Sequence, residues 1–259
     1  MSAEKGADLP PGLDILWGRR ERSRRGPKPA LTVERIVEAA IEIADAEGLG
    51  PLSMSRLAEA LGFTPMSLYR YVRNKDELLQ LMGDINAPPP PSSAEQGWRD
   101  GLAGWAKGLF GHYREHPWVL HIPMRGMPPI GPNALRWLDA GLRCLAGTPL
   151  GLEDRINVIT QLSVHIRGAA MFTAQYGQGA DSDPASSLPY GDLLRMVVDA
   201  EHYPELSVVL DAGVFDGDDA SYIEYDPDVE VEFGLNLFLD GVAALIAAQP
   251  HAEAARQQD

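Results

Sequence analysis

The chain has 259 residues, of which 45% are hydrophobic, and 22 Lys+Arg against 37 Asp+Glu give a formal net charge of −15. This apolar content excludes a wholly disordered chain, and the length favours two packed domains. A single cysteine, Cys144, excludes an intramolecular disulfide, and we identify no secretory signal. The longest apolar run, residues 235–248, is short and interrupted, so we expect a cytoplasmic protein without a membrane helix.

Positive charge is concentrated near the N-terminus. Residues 19–75 contain 11 Lys+Arg and 7 Asp+Glu, a net charge of +4, whereas the rest of the chain contains 11 and 30, a net charge of −19. Within residues 1–30, which we interpret as a basic arm, the run 19–28 holds six basic residues and one acidic residue. Such a run predicts contact with nucleic-acid phosphates, and a solubilising tail is the alternative.

Four helices are predicted in the next segment, residues 31–87. Each follows a residue that caps helix N-termini and carries apolar residues at helical spacing. The predicted spans are 32–48, 53–62, 64–72 and 74–85. Two short helices joined by a glycine-containing turn, next to a longer one, are typical of a helix-turn-helix, in which the second helix of the pair enters the DNA major groove. A four-helix fragment without a DNA partner is the alternative.

The third predicted helix has two chemically different sides. At about 100° per residue, Leu68 and Val72 lie on one side, and Met66 and Arg70 lie opposite. Arginine can donate two hydrogen bonds to guanine, serine can bond to base edges, and apolar groups can contact the thymine methyl. The pattern therefore predicts a helix that buries two aliphatic side chains and presents a base-reading face.

The segment Leu31 to Ile85 resembles the tetracycline-repressor (TetR) family of bacterial regulators. The resemblance is carried by Ile36-Val37-Glu38-Ala39-Ala40, by Leu52-Ser53-Met54-Ser55-Arg56-Leu57-Ala58, by Leu61-Gly62, and by the family-specific string Leu68-Tyr69-Arg70-Tyr71-Val72-Arg73-Asn74-Lys75-Asp76-Glu77-Leu78. It implies a homodimer whose paired third helices enter adjacent major grooves of a palindromic operator, with half-sites about 34–36 Å apart.

The resemblance also implies which side chains contact DNA. The positions expected to face bases are Ser55, Pro65, Met66, Ser67 and Arg70, with Tyr71 beside them, and the positions expected to contact phosphates are Tyr69 and Lys75. Ser55 stands where the tetracycline repressor itself has an arginine. From the basic arm we expect minor-groove or phosphate contacts by Arg24, Arg25 and Lys28.

A run of four prolines, residues 88–91, separates this segment from a second one, residues 92–250, in which strand alternation is absent. We therefore predict an all-α fold, with a helix-turn-helix head and a larger helical ligand-binding and dimerisation domain. The predicted helices of this domain span 94–116, 133–147, 152–176, 188–201 and 226–248. Clusters of Gly and Pro at 123–132 and 177–189 predict loops.

Small residues mark the expected dimer interface. Gly234 and Gly241 lie on one face of the last predicted helix, and residues 168–170 are Gly-Ala-Ala. Glycine within a helix costs up to about 1 kcal/mol relative to alanine, which suggests close approach of another helix. As in the TetR family, we expect Leu152–Tyr176 and Asp226–Ala248 to pair with their symmetry mates in a four-helix interface. Packing within one chain is the alternative.

Aromatic and methionine side chains are concentrated in the second domain and predict a cavity for a small-molecule effector, although ordinary core packing is the alternative. The residues expected at this site are Trp105, Trp118, Trp137, Gln161, His165, Arg167 and Phe172. An effector would favour a conformer whose heads no longer match the groove spacing. We expect the signal to pass through the predicted helix 74–85.

Other functions have weaker support. His112, Glu115 and His116 match the H-x-x-E-H pattern of zinc proteases, but Pro117 ends that helix at once. An acidic cluster from Asp216 onwards lacks the glycine of a calcium loop, and we find no phosphate-binding or nucleophile motif. We therefore predict a DNA-binding regulator that is not an enzyme and needs no cofactor. We expect a repressor, with a transcriptional activator of the same fold as the alternative.

Overall fold

The computed structural model of the protein describes residues 12–18, 31–91, 97–123, 128–179, 190–216 and 227–256. Helices account for all regular secondary structure in these ranges, which confirms the predicted all-α class. The helices are α1 (Leu13–Leu16), α2 (Val33–Glu47), α3 (Met54–Leu61), α4 (Pro65–Leu68), α5 (Lys75–Ile85), α6 (Trp98–Glu115), α7 (Pro132–Cys144), α8 (Leu152–Gly179), α9 (Tyr190–Val197), α10 (Pro204–Asp211) and α11 (Pro227–Arg256). A 3-10 segment, Pro117–His121, lies between α6 and α7.

Local capping sets the start of three helices in the head. Thr32, Ser53 and Asn74 each accept a hydrogen bond from the backbone N–H three residues later, at 3.2, 3.1 and 2.8 Å. These bonds satisfy amides that have no partner within the helix. Gly62 ends α3 in the left-handed conformation, with φ of 72°, which a glycine adopts without steric cost. The predicted capping residues of α2, α3 and α5 are thus confirmed.

Several helix bounds differ from the prediction. The α-helix at the third predicted position ends at Leu68, and residues 69–71 continue it as turns. The predicted helix 188–201 is described only from Tyr190 and ends at Val197, because the Asp199 side chain accepts bonds from two following amides and Pro204 then begins α10. The short helices α1 and α10 and the 3-10 segment were not predicted.

Buried side chains form two clusters. One lies within the head, among α2, α3, α4 and α5, and the other is formed by α6, α7, α8 and α11. Trp118 of the 3-10 segment belongs to the head cluster although it lies beyond the proline run in sequence. Its indole Nε1 donates to Oδ1 of Asp45 on α2 at 2.5 Å, and His116 Nδ1 lies 2.7 Å from the same oxygen. The second segment therefore contributes directly to the packing of the head.

Candidate nucleic-acid interface and ligand-binding region

Residues 65–72, which comprise α4 and the turns after it, have a buried side and an exposed side. Leu68 and Val72 are fully buried, and Met66 is 76% exposed. Pro65 and Arg70 are also exposed. Within the described part of the chain, Arg70 has no carboxylate partner, so its guanidinium group is available to a ligand outside the protein. This exposed side carries residue types that can contact base edges in DNA.

The other predicted base-facing residues surround this helix. Ser55 is exposed on α3, whereas Ser67 and Tyr71 are half-buried. The hydroxyl oxygens of Thr64 and Ser67 are 3.0 Å apart and form a hydrogen bond at the start of α4. The Tyr69 ring is exposed beside Arg70. Ser55 and Tyr69 are therefore accessible from outside the head, whereas Ser67 and Tyr71 are accessible only in part.

Lys75 is held by the protein itself. Its ammonium group donates hydrogen bonds to the backbone oxygens of Leu49 and Leu52, at 3.1 and 2.6 Å, and the side chain is half-buried. An ammonium group has three donors, so one remains for a phosphate oxygen. The two internal bonds tie the start of α5 to the segment between α2 and α3, which is a positioning role that the sequence did not predict. Arg24, Arg25 and Lys28 lie outside the described residues.

The predicted ligand-binding residues do not form one group. Trp105 and Trp137 pack edge-to-face in the core of the second domain, with ring centroids 5.7 Å apart. Both indole N–H groups are already bonded, since Trp105 donates to the Trp137 carbonyl at 2.9 Å and Trp137 donates to the Pro88 carbonyl at 2.7 Å. Neither indole N–H group is therefore available to a ligand.

A second part of the predicted set lies between α6, α8 and the 3-10 segment. The Arg167 guanidinium group donates to the Leu120 carbonyl and lies 6.0 Å from the centre of the Tyr113 ring. Burial raises the pKa of the Tyr113 hydroxyl, and the charge of Arg167 opposes that rise. Tyr113 was not among the predicted site residues, although its aromatic type and helical spacing from Phe110 could have identified it.

His165 faces α11 instead. Its ring is stacked on Phe238 at 6.3 Å between centroids, and its Nε2 is buried without a hydrogen-bond partner. A side chain at Gly234 would approach the His165 ring to 2.8 Å, so glycine is required at this contact between α8 and α11. For Gly234, the close approach predicted from sequence is thus made within the chain.

The remaining predicted ligand residues lie elsewhere. Trp118 is buried in the head cluster, where Asp45 satisfies its donor, so the structure places it away from the second core. Gln161 and Phe172 are exposed on the outward side of α8. The sequence could not separate these positions, because aromatic type alone does not indicate which core a side chain enters.

The long helices α8 and α11 present apolar side chains to solvent. On α11 the exposed residues recur every four positions at Val229, Phe233 and Leu237, and Gly241 has open space where a side chain would lie. On α8 the corresponding exposed apolar residues are Leu152, Ile156, Val164 and Phe172. Exposed apolar residues four positions apart form a stripe along α11, and those of α8, which are four or eight positions apart, form a second stripe that winds gradually around the helix.

A neighbouring side of α11 is charged and attached to α6. Three acidic residues of α11 form ion pairs with three basic residues of α6, over 2.7 to 3.5 Å. The pairs are Arg99–Asp240, Lys107–Glu232 and Arg114–Asp228.

By length and composition, residues Asp228–Gln249 are long and apolar enough to cross a membrane, with a mean hydropathy of 1.6. The charged stripe is poorly suited to a lipid environment.

The zinc-binding alternative gains no support from the geometry. His116 is engaged by Asp45 at 2.7 Å, and burial together with nearby His116 lowers the pKa of His112 to about 4. Among the described residues, no group of three or more His, Cys, Asp or Glu side chains could hold a metal ion. Of the acidic cluster, Asp216 is bonded to Arg195, and residues 217–226 lie outside the described ranges.

Comparison with known families accounts for most of the chain. Residues 36–82 match the family described as bacterial regulatory proteins, tetR family, and residues 90–246 match the tetracyclin repressor-like, C-terminal domain. The chain is 38% identical over 251 residues to the HTH-type transcriptional repressor DrrR1 of Streptomyces coeruleorubidus, covering 93% of this chain and 87% of that protein. It is 28% identical over 231 residues to the tetracycline repressor protein class A from transposon 1721 of Escherichia coli, covering 86% and 96%.

Solved structures show the same arrangement of helices. The TetR family protein ActR of Streptomyces coelicolor, in complex with actinorhodin, superposes with a TM-score of 0.66 and 28% sequence identity, covering 85% of this chain and 98% of that one. The complex of ActR with (S)-DNPA gives the same TM-score and identity, covering 83% and 98%. One relative of this fold has therefore been solved with two different ligands.

Proposed function

Because this chain belongs to the TetR family of bacterial transcriptional regulators, we propose that it is a repressor that binds a palindromic operator as a homodimer and leaves it when a small-molecule effector binds. The proteins of its family and its relatives are transcriptional regulators, so the chain is a regulator and not an enzyme. The observation that carries the DNA-binding proposal is the division of residues 65–72, which comprise α4 and the turns after it, with Leu68 and Val72 fully buried and Met66 and Arg70 exposed. A protein that acts on operator DNA in a bacterium works in the cytoplasm.

The exposed stripes of α8 and α11 support the homodimer. Two such helices from each chain would cover each other's apolar side chains in a four-helix interface, as the TetR resemblance implies. Dimer symmetry would present two copies of α4 to one face of the duplex, which is the arrangement that a palindromic site requires. A membrane span would instead expose the ion-paired stripe of α11 to lipid, so we favour the dimer.

The aromatic core of the second domain supports an apolar, ring-containing effector. Trp105 and Trp137 offer ring surfaces, and Arg167 beside Tyr113 supplies a half-buried positive charge. An effector with an acceptor or acidic group could bind both features. The relative ActR has been solved with actinorhodin and with (S)-DNPA, which are therefore rational first probes.

Selection of bound duplexes from a random DNA pool tests the DNA-binding function. We expect a palindromic motif, because a symmetric dimer reads two equal half-sites. Affinity for the selected duplex should fall steeply as salt rises, since phosphate contacts release counterions. A pool without enrichment, or a binding constant that does not respond to salt, would contradict the proposal.

Displacement of the selected duplex tests the effector proposal. Fluorescence anisotropy of the labelled duplex is followed while actinorhodin, (S)-DNPA or related aromatic acids are added, and tryptophan fluorescence reports binding to the protein. We expect at least one aromatic compound to quench the tryptophans and release the DNA together. Quenching without release would show that the site is present but not connected to the head.

A further inference from the structure

The attachment of α7 to α5 depends on one buried carboxylate. Asp84 lies near the end of α5 and is only 6% exposed. Its Oδ1 accepts a hydrogen bond from the backbone N–H of Ala134 at 2.9 Å, and its Oδ2 accepts one from the N–H of Asn133 at 3.3 Å. In return, the Asn133 side-chain amide donates to the Asp84 carbonyl at 2.9 Å. Asp84 therefore supplies the N-terminal cap of a helix that begins 48 residues later in the sequence, at Pro132.

The start of α7 is adapted to this external cap. Its own capping position is Gly131, which has no side chain that could bond to the first amides. A methyl group at Gly131 would overlap the Asp84 carboxylate, so the glycine leaves the space that the carboxylate fills. A negative charge at this end of a helix is favoured by the helix dipole as well as by the unpaired amides.

The bonded chain continues from α7 into the aromatic core. Trp137 lies one turn beyond Asn133, and its Nε1 donates to the carbonyl of Pro88, just beyond α5, at 2.7 Å. Its own carbonyl accepts from Trp105 of α6 at 2.9 Å. The two cores are therefore connected by directional hydrogen bonds and not only by apolar contact. A displacement of α7 cannot leave α5 unmoved without breaking the bonds to Asp84.

We propose that Asp84 is the positioning residue that carries the effector signal from α7 to the DNA-binding head. The proposal rests on the proposed function, and it names the residue through which the two sites of that function are coupled. Coupling of this kind is reciprocal, so DNA bound at the head must also change the α7 end of the connection. The proposal can therefore be tested with DNA alone.

The test compares three variants by hydrogen–deuterium exchange. Asp84→Ala removes the cap and the connection together. In the double variant Asp84→Ala with Gly131→Ser, the serine caps α7 from within, because residue 131 has the extended conformation of a capping residue and the space of the carboxylate is free. This variant restores the helix end without restoring the connection to α5. Asp139→Ala removes an exposed aspartate of α7 whose ion-pair partner among the described residues is Arg143, and it serves as the control.

The probe is the duplex recovered from the random pool. In the wild-type chain and in Asp139→Ala, we expect the duplex to change the exchange rate of the first-turn amides of α7 by about tenfold. In Asp84→Ala and in the double variant, the duplex should bind while those amides do not respond. If the double variant has a higher melting temperature than Asp84→Ala, the serine has restored the cap of α7. A missing response of α7 to DNA in that variant is then due to the lost connection to α5. A full response of α7 in either variant that lacks Asp84 would overturn the proposal.

A second measurement needs no DNA and keeps the two proposals distinguishable. Exchange is followed at low urea concentrations, where helices that open together show a common dependence on denaturant. We expect α5 and the start of α7 to open together in the wild-type chain and separately in the double variant. Joint opening in the double variant would overturn the role of Asp84. Failure of the wild-type chain to bind any duplex would overturn the proposed function instead.

Discussion

Neighbouring residues of α4 and the turn that follows it have opposite environments, and this contrast is the basis of the DNA-binding proposal. Leu68 is fully buried against the head, whereas Arg70, two positions later, is exposed without a carboxylate partner in the described part of the chain. An exposed, unpaired arginine contributes little to folding stability. Its side chain is free to form the bidentate contact with guanine that reads a sequence.

Arg70→Ala should reduce affinity for the selected duplex by about 1–3 kcal/mol and relax its base preference. Fluorescence anisotropy on the selected duplex and on single-base variants of it measures both effects. Arg143→Ala is the matched control, because Arg143 is an exposed arginine on α7, paired with Asp139 at 3.0 Å. An equal loss on every duplex would identify Arg70 as a phosphate contact.

His112 makes the stability of the protein depend on pH. Burial, and then nearby His116, lowers its pKa from 6.5 to about 4, while Glu115 and Asp45 partly oppose the shift. The unfolded chain therefore takes up a proton before the folded chain does. The stabilisation that depends on neutral His112 is complete above about pH 6.5 and is lost progressively as the pH falls towards 4.

We expect the melting temperature of His112→Gln to fall less between pH 7 and pH 5 than that of the wild-type chain, as measured by circular dichroism. The glutamine cannot take up a proton in this range, so one source of the acid sensitivity is absent. His121→Gln, at an exposed histidine on the 3-10 segment, should retain the wild-type dependence. Parallel curves for wild type and His112→Gln would contradict this interpretation.

At the scale of secondary-structure elements, hydrogen bonds attach the start of α5 to the segment between α2 and α3. Lys75 bonds to two backbone oxygens of that segment, at Leu49 and Leu52. Hydrogen bonds from a charged donor to otherwise unsatisfied carbonyls contribute about 1.5–3 kcal/mol. The resemblance to the TetR family implies that Lys75 contacts a DNA phosphate. The structure shows that the same side chain also forms hydrogen bonds within the head.

Lys75→Met should lower the free energy of unfolding by about 1–3 kcal/mol, since the methionine keeps most of the stem and removes the donor. Urea denaturation followed by circular dichroism measures the change. Lys107→Met removes only an exposed ion pair with Glu232, 3.5 Å long, and should change stability by less than about 0.5 kcal/mol. If Lys75→Met left the free energy of unfolding unchanged but weakened the salt dependence of DNA binding, phosphate contact would be the only role of Lys75.

At the scale of the whole molecule, the described residues of α8 and α11 expose large apolar side chains that the packing of one chain does not explain. Leu237 of α11 is 59% exposed beside Phe233, while the acidic residues of the adjacent stripe are engaged by α6. Covering the stripes in a dimer would remove apolar area from water, and it would combine two heads in one DNA-binding unit. The affinity for a palindrome then exceeds that of a single head.

Leu237→Glu should convert the dimer into a monomer, because two carboxylates would be buried near the symmetry axis without partners. Sedimentation equilibrium should show the lower mass, and affinity for the selected palindrome should fall by about 100-fold or more. Val208→Glu is the control, since Val208 on α10 is 64% exposed and lies outside the two stripes. A dimeric Leu237→Glu protein would place the interface elsewhere.

The sequence alone predicted much of the head and little of the second domain's site. Thr32, Ser53 and Asn74 were identifiable as caps because each bonds to an amide three residues away. The ligand-binding residues of the second domain were not predictable to the same degree. Aromatic residues of that domain are found in the head cluster, in the second cluster and on the exposed surface. Trp118 enters the head cluster and Phe172 faces outward, although both are aromatic residues of the same domain.

The division follows from the range of the interactions. The amino-acid sequence determined the helical class, the starts of the head helices and the two sides of α4, because all of these depend on spacings of three or four residues. Only the tertiary structure decided that Asp84 caps α7, with its acceptor 50 residues from Ala134, and that Asp45 satisfies Trp118, 73 residues away. Partners so distant in sequence are chosen by how whole helices pack, and no local pattern records that choice.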